Sequence, residues 1–72
     1  MQYKLKVLRI NRDLTLENMA RLLHVGKSTV SRWERGEISI PMNAFKEYCL
    51  ICDVDAETIK EMQNNICIRK EN

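Results

Sequence analysis

Glycine occurs twice and proline once in the 72 residues, which excludes collagen-like, linker-like and low-complexity chains. The same shortage removes the turn punctuation that a many-stranded sandwich or barrel requires. No apolar run approaches the ~18 residues of a membrane span. Lys4, Lys6, Arg9, Arg12 and Asp13 interrupt the N-terminus, where a secretory signal would need a continuous apolar stretch. Three cysteines, Cys49, Cys52 and Cys67, are an odd set for a secreted disulfide framework. A single soluble intracellular domain spanning 1–72, cytoplasmic and helical, is the expectation, and a chain this short leaves little room for a deep catalytic cleft.

What the sequence does have is an uneven distribution of charge. The net charge of +2 divides into +5 over residues 1–36 and −3 over residues 37–72. A basic half beside an acidic half suggests that one half faces a polyanion and the other faces something else.

Periodicity divides the chain into five helical segments. The stretch from Gln2 to Arg12 is ambiguous, because Tyr3, Leu5 and Val7 alternate with Lys4 and Lys6 as in an edge strand. Leu5 and Leu8 lie one helical turn apart, and without a partner strand nearby the helical reading is preferred. Thr15 is a good N-cap, with Glu17 favouring the positive helix start, and Leu16, Met19, Ala20, Leu22 and Leu23 continue an apolar face. The pattern stops at His24-Val25-Gly26, and a new helix opens near Lys27 with Val30 and Trp33 inside and Gly36 as its stop. Residues 37–40 read as a loop, and Pro41 suits an early position of the next helix, whose stripe is Ala44, Phe45, Tyr48, Cys49 and Cys52. Asp55 caps a last helix of about 55–68 carrying Ile59, Met62 and Ile66.

Two short helices about three residues apart, the second with polar and basic outward positions, suggest helix-turn-helix geometry. Periodicity alone equally allows a small bundle with a tight αα-turn. The residues themselves go further. The run from Leu16 to Gly36, above all Ala20, the turn at Val25, Ser28-Thr29-Val30-Ser31 and Trp33-Glu34-Arg35-Gly36, resembles the phage-repressor family of Cro- and lambda-repressor-like, Xre-like helix-turn-helix domains. Leu5, Leu8 and Arg9 on one side, and Pro41, Phe45, Cys49, Cys52, Val54 and Ile59 on the other, extend the likeness over about residues 4–60.

The resemblance implies a compact, all-α, five-helix lambda-repressor-like domain that binds double-stranded DNA as a homodimer, at least on the DNA. It places a recognition helix from about Lys27 to Arg35 in the major groove, with Lys27, Ser28, Ser31 and Arg32 at base-reading positions. Phosphate contacts would come from Thr15 and Leu16, where free N–H groups meet a helix start, and from Arg12, Arg21, Arg35 and Ser39. Arg9 would pair with Glu34 and tie the first helix to the third, and Trp33 would belong to the core. Leu16 departs from the family, standing where many relatives carry a phosphate-gripping glutamine, and His24 replaces the usual turn glycine. Gly26 replaces the usual serine or threonine cap, and Glu37-Ile38-Ser39-Ile40 lacks the basic residues some relatives have there.

Other chemistry finds less support. Cys49-x-x-Cys52 falls inside a helix, and a zinc site would have to gather Cys49, Cys52, Cys67 and His24 from distant elements. Buried thiols that pack as small hydrophobes are the preferred reading. No phosphate-binding glycine loop or nucleophile motif is present, so neither an enzyme, a cofactor, a metal nor a small-molecule ligand is expected. Cys67 and Ile68 could extend an apolar patch that pairs two protomers. The rival to a DNA-binding repressor is a protein-interaction module of the same fold, an antirepressor or antitoxin-like partner, motivated by Leu16, Glu37, Ile38 and Ile40.

Overall fold

The computed structural model describes residues 4–69, so Gln2 and Tyr3 of the first segment, and Lys70 and Glu71 of the charge count, lie outside the described residues. Five helices follow in order, α1 (Leu5–Asn11), α2 (Leu16–Leu23), α3 (Lys27–Arg35), α4 (Met42–Ile51) and α5 (Ala56–Asn65). Two short strands, β1 (Ile40–Pro41) and β2 (Ile68–Arg69), complete the fold. It is a small all-α helix-turn-helix fold with one strand pair added.

Local chemistry explains where the helices begin. Thr15 Oγ1 accepts the Asn18 amide at 3.0 Å while Asn18 Oδ1 accepts the Thr15 amide at 3.2 Å, a reciprocal cap at the head of α2. Asp55 Oδ1 accepts the Thr58 amide at 3.2 Å at the head of α5. Hydrogen bonds from Thr58, side chain first and then backbone, hold the Asp55 carboxyl below the usual carboxylate range.

The helix ends reveal how a glycine-poor chain turns. Asp13 (φ 57°), His24 (φ 59°), Gly36 (φ 75°) and Asp53 (φ 55°) all adopt the left-handed conformation just past α1, α2, α3 and α4. Each is followed by the same closing hydrogen bond: Leu14 N–H to Arg9 C=O (3.1 Å), Val25 to Ala20 (3.0 Å), Glu37 to Arg32 (3.0 Å) and Val54 to Cys49 (3.0 Å). Only one of the four turns carries glycine. The others use Asp or His, which tolerate this region better than most side chains.

Three boundaries differ from the sequence expectation. The last helix ends at Asn65 rather than near residue 68, because Ile66 is extended (φ −118°, ψ 140°). Asn64 and Asn65 are poor helix formers, and the β-branched Ile66 and Ile68 that follow favour extended backbone. The segment 37–40 is not all loop, since Ile40 and Pro41 pair in parallel with Ile68 and Arg69, and Ile40 N–H donates to Cys67 C=O at 3.0 Å. Pro41 therefore closes the strand and precedes α4 instead of lying within its first turn.

The core gathers one side from each helix. Met19, Val30, Ile40, Phe45, Tyr48 and Met62 are fully buried, joined by Leu5, Ala20, Trp33, Cys49 and Cys52. Leu22, expected on the inner face of α2, is 49% exposed. Its neighbour Leu23 packs against the core instead. Ile66 and Ile68 are half-buried against the same core, which places Ile68 in the strand pair rather than on an open patch. Cys67 is exposed.

Candidate nucleic-acid interface

Helix α3 has two distinct sides. At 3.6 residues per turn, Lys27, Ser31, Arg35, Ser28 and Arg32 fall in that angular order within an arc of about 140°. Val30 and Trp33, both buried, fall on the opposite side. Lys27, Ser28, Arg32 and Arg35 are exposed and Ser31 is half-buried, so one surface of α3 is polar, basic and open. The four residues that the family resemblance assigns to base-reading positions, Lys27, Ser28, Ser31 and Arg32, share it.

Helix α2 packs against α3 across a three-residue turn, His24 to Gly26. This brings the head of α2 beside the head of α3. Lys6, Arg9, Leu14, Thr15, Leu16, Glu17 and Lys27 line one shallow hollow there. The first-turn N–H groups of α2 have no intrahelical partner, and the Thr15 side chain occupies that of Asn18. Lys27 Nζ lies 3.8 Å from Glu17 Oε1 across the hollow, with both side chains exposed. Lys6 is an exposed cation on this rim that the sequence reading did not single out. Its only signal was a position on α1 one turn before Arg9.

The remaining phosphate candidates are scattered. Arg21 and Ser39 are exposed, while Leu16 is half-buried against the core with its backbone at the first position of α2. Arg35 Nε lies 3.0 Å from Glu37 Oε2 in an exposed pair. Arg12 is engaged elsewhere, with Nε donating to Cys52 C=O at 2.9 Å and Nη2 lying 3.4 Å from Asp53 Oδ2 at the end of α4.

Beneath the polar surface lies a sealed ionic network. Arg9 Nε donates to Glu34 Oε2 at 2.8 Å and Nη2 to Oε1 at 3.1 Å, a two-pronged contact. Nη1 of Arg9 donates to Leu14 C=O at 2.8 Å. The side chains are 8% and 4% exposed, so the pair is shielded from solvent. The hydrogen bond and charge of Glu34 raise the Arg9 pKa further, against the opposing pull of burial. Tyr48, expected only as part of the apolar stripe of α4, joins this network. Its hydroxyl lies 2.8 Å from Glu34 Oε2 and 2.9 Å from Leu5 C=O. Burial first, and then Glu34, push the Tyr48 hydroxyl well above its ordinary range. A buried tyrosine needs a partner for its hydroxyl, and that need was the available signal.

The cysteines pack in the core. Cys49 and Cys52 are both buried; burial, then Cys52, pushes the Cys49 thiol up to about 11, and burial also raises Cys52. Among the described residues no group of three or more His, Cys, Asp or Glu side chains could hold a metal ion, and no helix is long and apolar enough to cross a membrane.

No curated protein and no solved structure matches the chain. A family model does: residues 4–62, from the start of α1 into α5 and including the α2–turn–α3 unit with its open polar surface, match the helix-turn-helix domain, and the chain belongs to that family.

Proposed function

We propose that this protein is a sequence-specific regulator of transcription that binds double-stranded DNA, and that within its family it is of the phage-repressor type. The observation that carries the reading is the gathering of Lys27, Ser28, Ser31, Arg32 and Arg35 on the one open side of α3, next to the head of α2. In a major groove, Arg32 and Lys27 donate to guanine O6 and N7, while the serine hydroxyls donate or accept. Leu16 at the head of α2 presents its backbone N–H to a phosphate, Thr15, whose amide is held by Asn18, contributes through its hydroxyl, and Arg21, Arg35 and Ser39 supply further contacts. Arg12 is the weakest phosphate candidate, because its guanidinium is tied to Cys52 C=O and Asp53. Two copies reading half-sites about one helical turn apart give a pseudo-palindromic operator, and occupancy of that operator blocks polymerase.

The test is selection from a random duplex library at ~0.15 M salt, followed by sequencing of the bound pool. An enriched two-fold-symmetric motif is the expected result, and its half-site spacing gives the dimer geometry. Bulk, salt-sensitive binding without enrichment, or no binding, overturns the proposal and favours the interaction module. That alternative keeps the exposed Ile38 beside Glu37 as its support but loses Ile40, which is fully buried.

A further inference from the structure

Glu34 sits at a boundary of α3. On the helical projection it is adjacent to Lys27 and Ser31 of the open side, yet its carboxylate is almost completely enclosed. Any rotation of α3 about its own axis would therefore pull Glu34 from its partners and re-aim Lys27, Ser28 and Arg32 together. With side chains reaching about 6 Å from the axis, a roll of about 20° moves their tips by about 2 Å. That is enough to lose a hydrogen bond to a base edge.

Two elements hold Glu34 in place. Arg9 approaches from α1, and Tyr48 from α4. The two-pronged Arg9 contact fixes the carboxylate plane, but it is delivered by a long side chain of many torsions that is anchored otherwise at Leu14 C=O. The Tyr48 ring is fully buried in the core and its hydroxyl cannot follow a displaced carboxylate. The phenol has one proton and two acceptors within reach, Glu34 Oε2 and Leu5 C=O, and the charged carboxylate is the stronger acceptor. The proton is thus directed at Glu34.

We propose that Tyr48 is a positioning residue: through Glu34 it fixes the roll of α3 on the core, and so determines how accurately the open side of that helix discriminates its ligand. The second half of this statement rests on the DNA-binding reading above; the first does not.

The test is Tyr48→Phe, which removes the hydroxyl and keeps the ring. Residual dipolar couplings of the Cα–Hα bonds, which stand off the helix axis, measured on the whole chain, report the roll of α3 against α1 and α2. The expected result is that the α3 couplings depart from the wild-type orientation while those of α2 are retained. Preference for the selected duplex over a scrambled one then falls by about tenfold, with binding to scrambled DNA unchanged. A merely structural hydroxyl would lower stability without either change. Unchanged α3 couplings overturn the positioning role, and a moved α3 with undiminished preference overturns its link to recognition. A wild-type protein with no preferred duplex defeats the DNA-binding reading, while the couplings still decide whether Tyr48 positions α3. Should Tyr48→Phe not fold, Arg9→Lys serves instead. It keeps a cation beside Glu34 but loses the two-pronged contact, so retained α3 couplings support the proposal and displaced ones overturn it.

Discussion

Helix α3 ends in two arginine–glutamate pairs of the same chemistry and opposite surroundings. Arg9–Glu34 is sealed, at 8% and 4% exposure, whereas Arg35–Glu37 stands in solvent at 60% and 51%. Their shortest contacts differ little, 2.8 Å against 3.0 Å, so distance does not separate them. Solvent does. Water and salt screen the outer pair, which contributes at most about 1 kcal/mol. Removing one partner of the inner pair strands a charge in the core, and the cost is that of the stranded charge. The inner pair therefore ties α3 to α1 at a stability cost if broken, while the outer one leaves Arg35 able to exchange Glu37 for a phosphate.

The largest expected effect tests that contrast directly. Glu34→Ala leaves the Arg9 guanidinium buried beside Leu14 C=O alone and destabilises the fold by about 3–5 kcal/mol. Glu37→Ala changes stability by less than about 1 kcal/mol. Urea unfolding of the two variants checks both numbers, and equal losses would mean that burial does not distinguish the pairs.

Alkaline titration sharpens the comparison from the α4 side, where Tyr48 bonds Glu34 and Cys49 is buried in the core. Cys49 titrates near its ordinary 9.0 when unfolded and at about 11 when folded. The folded state therefore retains a proton that the unfolded chain has already released. Stability from this group is complete below pH 9 and declines as pH rises through the folded value. The slope approaches ~1.4 kcal/mol per pH unit, and the total is about 2–3 kcal/mol. Tyr48, raised in the same direction, adds to the decline from about pH 10 upward. Unfolding free energies measured from pH 8 to 11 should fall along this course, and Cys49→Ala should lessen its first part, leaving the share of Cys52, which burial raises in the same direction. A flat profile for the wild type would contradict the enclosed thiol.

Much of this contrast was legible in the residues, and the remainder has identifiable physical causes. The spacing of Val30 and Trp33 separates the inner side of α3 from the outer, and the family resemblance pairs Arg9 with Glu34 across 25 positions. Tyr48 could not be attached to that pair, because a stripe position reveals burial but not the partner of a hydroxyl. The strand pair was invisible for a related reason. Ile40 and Ile68 lie far apart in sequence, and a two-residue ladder leaves no periodicity to detect. Of the left-handed helix ends, His24 was legible from the glycine it replaces, and Gly36 from being glycine. Asp13 and Asp53 gave no such signal, although with two glycines in the chain the turns had to fall on other residues. The expected end of α5 failed because the apolar spacing of Ile59, Met62 and Ile66 continues after the backbone has left the helix.

The outer side of α3 is tested by binding rather than by unfolding. Arg32→Ala is expected to cost about 1–3 kcal/mol on the selected duplex and to relax preference at one position. Its stability should stay within about 0.5 kcal/mol of wild type, because the side chain is exposed. Arg21→Ala should instead weaken all duplexes alike and flatten the salt dependence. Equal losses of Arg32→Ala on cognate and random DNA would remove the distinction between base reading and charge.

The smallest expected effect lies at the start of the same helix. Gly26 caps α3 with extended backbone (φ −76°, ψ 152°) and no side-chain hydrogen bond, so its glycine is not required by conformation. A Cβ there would lie 3.8 Å from Thr29 Oγ1 and 4.0 Å from Ser28 Oγ, which are ordinary contacts. Gly26→Ser adds a hydroxyl able to accept a first-turn amide and reduces the freedom of the unfolded chain, for a gain of about 0.5 kcal/mol. Gly36→Ala is the counterpart at the other end of α3. There a Cβ would meet nothing within 4 Å, yet φ is 75°, so the substitution should destabilise by about 1 kcal/mol from backbone strain alone. Thermal unfolding of the two variants should move in opposite directions. Movement in the same direction would mean that space, rather than backbone conformation, governs the ends of α3.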